Sequence, residues 1–349
     1  MRAAHKRVAV IVLLTATSAS ACASDVRGMQ GQDADAGTGG GNGGRGGAAG
    51  STLSEAGGAT SSTGGGGGIV GAGGAGGQPI GGGGVGGTVV AANLRDIVAR
   101  LSGESPIDGV NVLRHRASET EREAVRVYLI QILNAAGLIG QRQTYATGTN
   151  VFADLPTTTG ADQPYVIFGA HYDGVSAGPG ANDNATGVAA VLAVAEHVAR
   201  LTQRSKNFTF VLFDEEETGL RGSASFAARL VSQGRTVHSA HTIDQMGWDA
   251  DGDRAIELEM PDPVLQSYYQ QVVKAGGFKI PLEITDTTST DHDSFRARGF
   301  PAIGITEEFR NNDTTPYYHK AGDTYATVNF DYLDSTVGFM KYLMADLAK

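Results

Sequence analysis

The chain has 349 residues, a length that suits two domains or one large one. Glycine supplies 51 of them, but residues 37–87 alone hold 27, without a Gly-X-Y period, so the excess is a local tract and not collagen. From residue 91 onward 22 Lys+Arg face 33 Asp+Glu with no basic run, which excludes a nucleic-acid-binding surface.

The first residues read as an address. Arg2, Lys6 and Arg7 precede the apolar run Val8–Leu14, which is too short to cross a bilayer as a helix. Small residues follow and end in Ala19-Ser20-Ala21-Cys22, so residues 1–22 are expected to be a secretory signal peptide. Cys22 is the chain's one cysteine, which leaves no disulfide framework and no cysteine-based zinc finger. Its position resembles that of a bacterial lipoprotein signal, in which the cysteine becomes the lipidated first residue, although Ala19 stands where leucine is usual. Residues 23–90 read as a flexible Gly-rich linker, because such a chain cannot bury enough apolar surface to offset its ordering entropy. The expected location is extracytoplasmic. Lipid at Cys22 would anchor the protein to a bacterial envelope membrane and be its only membrane contact; otherwise the protein is secreted or periplasmic.

Residues 91–349 alternate helices and buried runs. Ser118 with Glu121 is a capping-box start, and Val125, Val127, Leu129, Ile130, Ile132 and Leu133 predict the apolar stripe of a helix to Ala136. Tyr165–Gly169 and Phe208–Phe213 predict buried strands, with helices over Gly187–Leu201 and Gly222–Ser232. Short strands at Thr242–Met246 and Ile256–Met260, a helix over Pro263–Ala275, a strand over Phe300–Thr306 and a last helix over Phe330–Ala348 complete the order. This alternation predicts an α/β fold, a mostly parallel central sheet with helices on both faces. In such sheets the site lies where strands end.

Those ends carry imidazole and carboxylate. His171 and Asp173 follow the first buried strand; Asp183 sits in the next Gly-rich loop; Glu215-Glu216-Glu217 follows Phe213; Asp244 and His319 come later. Such a set, without thiolate, suits catalytic zinc, with manganese or cobalt as substitutes. Asp183 is a candidate bridge between two metals. Asp173 is a candidate to orient the His171 ring from its other nitrogen. Of the adjacent pair Glu216 and Glu217, one can bind metal while the other moves protons, and spacing alone leaves open which does which. A serine hydrolase built on Ser289 and Ser294 is the disfavoured alternative.

Six stretches in register carry a resemblance: Gly169-Ala170-His171-Tyr172-Asp173, Gly180 to Gly187, Glu216-Glu217-Thr218-Gly219-Leu220-Arg221-Gly222-Ser223, Asp244-Gln245-Met246-Gly247, Thr290-Asp291-His292 and Tyr318-His319. From about residue 95 to 345 the chain resembles the M28 zinc metallopeptidases, its aminopeptidases above all. The resemblance implies the zinc-peptidase fold and two Zn2+ ions per chain. It implies that His171, Asp183 and Asp244 hold one zinc, that Asp183, Glu217 and His319 hold the other, and that Glu216 is the general base. Peptide or protein N-termini would be the substrate, cleaved by metal-activated water. The family pattern departs at Thr290, where serine is usual, and at Thr287-Thr288-Ser289, where some members carry a tyrosine; Tyr317, Tyr318 or a second metal are the candidate oxyanion stabilisers. Trp248 and Phe309 read as packing residues, with a pocket wall as the alternative. His115, His197, His238 and His241 match no motif. Two alternatives stand beside hydrolysis: a mono-zinc glutaminyl cyclase, and a non-catalytic tethered binding module.

Overall fold

The structure is a computed structural model that describes residues 93–160, 163–310 and 313–349. The signal peptide, the linker and Cys22 lie outside the described residues.

Asn93 caps α1 (Leu94–Leu101) and Ser118 caps α2 (Glu119–Ala135), each side chain accepting an orphan N–H of the first turn. Four further helices are placed close to their predicted spans: α3 (Gly187–Ala199), α4 (Arg221–Ser232), α5 (Pro263–Gly276) and α7 (Phe330–Leu347). Neither α1 nor a short helix, α6 (His292–Arg296), was predicted. The strands are β1 (Gln141–Thr144), β2 (Thr149–Leu155), β3 (Tyr165–His171), β4 (Asn207–Phe213), β5 (Val237–Asp244), β6 (Ile256–Glu259), β7 (Leu282–Thr285) and β8 (Ala302–Glu307). They form one sheet in the order β1-β2-β4-β3-β5-β8-β6-β7.

The centre of the sheet is parallel, as expected: β4, β3, β5 and β8 run together, and β7 runs parallel to β6. The antiparallel pairings lie toward the edges, at β1–β2, β2–β4 and β6–β8. Sequence reading missed β1, β2 and β7. Gln-Arg-Gln-Thr and Leu-Glu-Ile-Thr are short edge strands with only one neighbour each, so neither needs an apolar run. The strand expected at Thr242–Met246 begins earlier, at Val237, and ends at Asp244.

Alternate residues of the central strands enter two cores. Val166, Phe168 and Ala170 of β3 join Phe208, Phe210 and Leu212 of β4 under α1, α2, α3, α5 and α7. Ile167 of β3 joins Val211 and Phe213 of β4 under Phe226 of α4 and Phe295 of α6. Helices therefore cover both faces.

The stripe of α2 needs one correction. Val125, Leu129 and Leu133 are buried, but Val127 is 44% exposed and Arg126 is 1% exposed. Arg126 turns inward because Asp214, at the end of β4, meets it at 3.0 Å. Leu129→Ala should cost about 2–5 kcal/mol in urea unfolding, while Val127→Ala should stay within about 0.5 kcal/mol. Equal losses would show that the inward face is misassigned.

Candidate active site

The carboxyl ends of the parallel strands deliver the side chains. His171 and Asp244 are the last residues of β3 and β5. Glu216 and Glu217 lie between β4 and α4, Asp183 lies in the turn before α3, and His319 follows β8. Four residues on these segments, Glu215, Leu220, Gln245 and His319, adopt left-handed backbone with φ of 55–58°. That region is sparsely populated for residues with a Cβ. It bends the chain beside Glu216, Asp244 and His319 so that their side chains converge.

Asp183 stands in the middle. Its Oδ1 is 3.3 Å from His171 Nε2, which is itself 3.4 Å from Asp244 Oδ1. Its Oδ2 is 3.2 Å from His319 Nε2, which is 3.0 Å from Glu217 Oε2. A tetrahedral ion with ligand bonds of about 2.0–2.1 Å sets neighbouring ligand atoms about 3.3–3.4 Å apart. Glu216 Oε2 lies 4.0 Å from His171 Nε2. His171, Glu216 and Glu217 also come within a metal's reach of one another, a grouping that leaves Asp183 out.

Backbone and buried charge fix this arrangement. Asp173 accepts the N–H groups of Glu216 and Glu217 at 3.0 and 3.2 Å, and its Oδ1 is 3.4 Å from His171 Nδ1. One carboxylate thereby ties the β3 end to the β4 loop. Asp323 accepts the N–H groups of Asn182 and Asp183 at 2.7 and 3.0 Å. Glu307 accepts the Asn182 amide at 2.8 Å and the N–H groups of Gly247 and Trp248 at 2.9 and 2.7 Å. Arg116 is fully buried and donates to the carbonyls of Leu101, Tyr172, Pro179, Gly180 and Asp183. At Gly180, with φ of 67°, a Cβ would lie 2.8 Å from the Arg116 guanidinium, so glycine lets the loop close on it.

The electrostatics follow from crowding. Burial pushes Glu216 up to about 10, and the charges of Asp244, Asp291 and Glu217 add to it against the pull of His171. Burial and then Asp183 lift Glu217 to about 7. Burial lifts Asp291 to about 7. Burial also opposes ionisation of Asp183, but hydrogen bonds from His171 and His319 outweigh it and hold that carboxyl well below its usual range. Glu217 Oε1 is buried with no hydrogen-bond partner among the described residues. Excess anionic charge, an orphaned oxygen and an N/O donor set at tetrahedral-edge spacing all fit divalent cations of the zinc, manganese or cobalt type.

A pocket of about 240 Å³ opens beside the centre and is lined in part by Asp183, Glu216, Asp244, Phe309, Tyr318 and His319. Phe309 is thus a pocket wall, contrary to the packing role expected of it. Trp248 packs edge-on against Tyr317 and donates to Asp313 at 3.1 Å. Glu215 is held by Thr147 and Arg122, away from the centre. Ser294 bonds Ser223 at 2.8 Å. His292 is buried against Thr290 and Glu259. Sequence reading gave no role to Arg116, Arg126, Asp214, Asp291, Glu307 or Asp323; all are ordinary polar residues until the fold buries them.

The profile of peptidase family M28 matches residues 150–344. The chain belongs to that family. It is a metallopeptidase by that membership. A probable leucine aminopeptidase of Trichophyton verrucosum is 28% identical over 280 residues, covering 72% of this chain and 73% of that protein. A zinc aminopeptidase of Bacillus subtilis superposes with a TM-score of 0.54 at 21% identity, over 58% of this chain and 50% of that one. The glutaminyl cyclase of Porphyromonas gingivalis superposes with a TM-score of 0.62 at 17% identity, over 73% of this chain and 98% of that one, so the fold is shared with it.

Stability in chelator should depend on pH. Glu217 and Asp291, both lifted to about 7, hold protons in the folded state that their unfolded forms, at 4.5 and 3.8, have already lost. The folded chain then binds more protons than the unfolded one, so the melting temperature should fall as pH rises from 5 to 7. Asp183, held low, titrates below that window. Zinc should raise the melting temperature more at pH 7.5 than at pH 5, because protons compete for the same oxygens. An equal zinc effect at both pH values would contradict this.

Proposed function

We propose that the protein is a di-zinc aminopeptidase that hydrolyses the first peptide bond of peptide and protein substrates. The observation that carries this reading is the orientation of Asp183, one oxygen toward His171 and Asp244 and the other toward His319 and Glu217. On this reading His171, Asp183 and Asp244 would hold one zinc and Asp183, Glu217 and His319 the other, with Asp183 shared by both sets. When bound, a zinc pair polarises the scissile carbonyl and acidifies water toward neutrality.

Glu216 is the base. It lies 4.0 Å from His171 Nε2, and the groups His171–Asp183–Asp244 and Asp183–Glu217–His319 could each hold a metal without it. Cations bound beside it would favour its ionised form, in which it takes the proton of the attacking water and returns it to the leaving amine. Asp173 orients the His171 ring and holds the Glu216–Glu217 backbone. Tyr318 is the tyrosine that lines the pocket, and burial pushes its phenol upward, so it stays a hydrogen-bond donor suited to an oxyanion. A one-metal cyclase would leave either Asp244 or His319 without its metal, and metal content per chain separates the two readings.

Glu216→Gln should keep both metals and lose about 10²–10⁴ in turnover, the usual worth of a positioned proton-transfer group. Glu217→Gln should weaken one metal, and Asp183→Asn should disturb both. Elemental analysis beside kinetics on aminoacyl and N-blocked peptides checks all three. Metal loss in Glu216→Gln with retention in Glu217→Gln would exchange the two roles.

We also propose export and lipid attachment at Cys22, on the strength of the charged, apolar and small-residue order that precedes it. Cys22→Ser should then move the protein from the membrane to the soluble fraction with activity intact. Continued membrane association of the variant would remove the lipid anchor from the account.

A further inference from the structure

The pocket beside the metal ligands does not end in an apolar wall. Ile256 and Leu258 of β6 point into the larger core, which turns Glu257 and Glu259 to the opposite face. Both line the pocket, and they are 2% and 4% exposed. Glu257 Oε1 accepts the N–H groups of Phe309 and Arg310 at 2.9 and 2.8 Å. Glu259 Oε2 accepts the Thr290 hydroxyl at 2.7 Å. Each carboxyl has a second oxygen with no hydrogen bond from the described residues. At Gly304 a Cβ would lie 2.4 Å from Glu259 Oε2, so the sheet leaves that space to the carboxyl.

No built-in cation answers these acids. Among the described residues, the basic group paired with either is His292, 3.6 Å from Glu259 Oε2. Burial holds His292 down to about 4, so it is uncharged at neutral pH. A separate observation points the same way. Gln245 lines the pocket at 3% exposure, and its Oε1 is buried without a partner. Around Glu257, Glu259 and Gln245 the pocket therefore offers acceptors with no lysine or arginine among the described lining residues.

A buried acceptor left unpaired is costly, and a buried charge more so. A leucine side chain here would strip water from both carboxyls and return nothing. An ammonium or guanidinium brings three or five donors and a positive charge. Phe309 and Tyr318, whose rings meet edge-on at 6.2 Å, wall the pocket where an aliphatic stem would lie. We propose that this pocket receives the side chain of the substrate's N-terminal residue and selects lysine or arginine there, through Glu257, Glu259 and the Gln245 amide oxygen. The proposal rests on the aminopeptidase reading. Burial lifts Glu259 to about 8, and an arriving cation favours its ionised form.

The test uses the zinc-loaded full chain and aminoacyl-coumarin substrates carrying lysine, arginine, leucine or norleucine. Norleucine copies the lysine stem without the ammonium. kcat/KM for lysine should exceed that for norleucine by about ten- to a hundredfold, the worth of hydrogen bonds to a charged group. Glu259→Gln and Glu257→Gln should each cut that ratio by about tenfold. Glutamine keeps an oxygen for the Phe309 and Arg310 N–H groups, so Glu257→Gln retains that backbone anchor. A preference for norleucine or leucine, or a ratio unmoved in both variants, overturns the proposal. An equal loss on every substrate also overturns it, because the carboxyls would then serve the α-ammonium. If no substrate is cleaved, the aminopeptidase reading fails separately. Calorimetry with lysinamide against norleucinamide then decides the pocket: a lysinamide preference lost in both variants sustains it, and no preference overturns it.

Discussion

Like charges forced together out of water govern this molecule. Asp173, Asp183, Glu216, Glu217, Asp244 and Asp291 converge on one centre with two imidazoles among them, and burial lifts Glu216, Glu217 and Asp291 above the usual carboxylate range. Left to relax, such groups would spread toward solvent. The surroundings prevent it with fixed dipoles. Asp173 and Asp323 each hold two backbone N–H groups, and Glu307 holds two and a side-chain amide. Arg116 places a fully buried positive charge under the Asp183 turn while spending its donors on five carbonyls. The centre is thus preorganised with carboxylates and imidazoles that could hold cations.

The sheet explains how four distant segments meet. Parallel strands all end on one edge, so loops after β3, β4, β5 and β8 share a rim. The antiparallel strands at either side do different work. β2 flanks β4 and brings Thr149, whose N–H donates to Asp214 at 2.9 Å, and Arg122 and Arg126 of α2 pair with the same carboxylate at 2.9 and 3.0 Å. That braces the root of the Glu216–Glu217 loop. β6, antiparallel to β8, carries Glu257 and Glu259 up beside the catalytic rim. β2 therefore stiffens the root of the site, and β6 shapes what lies next to it.

Acidity serves two ends in this site. Around Asp183 it offers cations a ligand set; along β6 it leaves acceptors facing an open pocket. The two regions share walls through Asp244, Gln245 and Tyr318. Gln245 links them most directly, since its left-handed backbone follows Asp244 and its side chain lines the pocket. A change there would act on both regions at once.

The sequence by itself determined the order of the central strands and of the main helices that cover them, the rim, and the residues that meet on it. Buried parallel strands need continuous apolar runs, so Tyr165–Gly169 and Phe208–Phe213 announced themselves, and His171, Asp183, Glu216, Glu217, Asp244 and His319 followed such runs. Ser118 with Glu121 fixed the start of α2 because a cap is a local bond. Tertiary structure alone decided which polar residues are structural. Arg126 sat inside an amphipathic pattern that assigns arginine to water, and the Tyr172 hydroxyl and Asp214, 46 and 88 residues away, meet it inside the fold. Asp323 reaches Asn182 across 141 residues, and Arg116 reaches Asp183 across 67. Period and capping act within a few residues, whereas the partner that makes a buried charge tolerable can come from anywhere in the chain. The same limit hid the acids of β6: Ile-Glu-Leu-Glu reads as a strand with one wet face, and only the packing of β8 and the loops above it made that face the floor of a pocket.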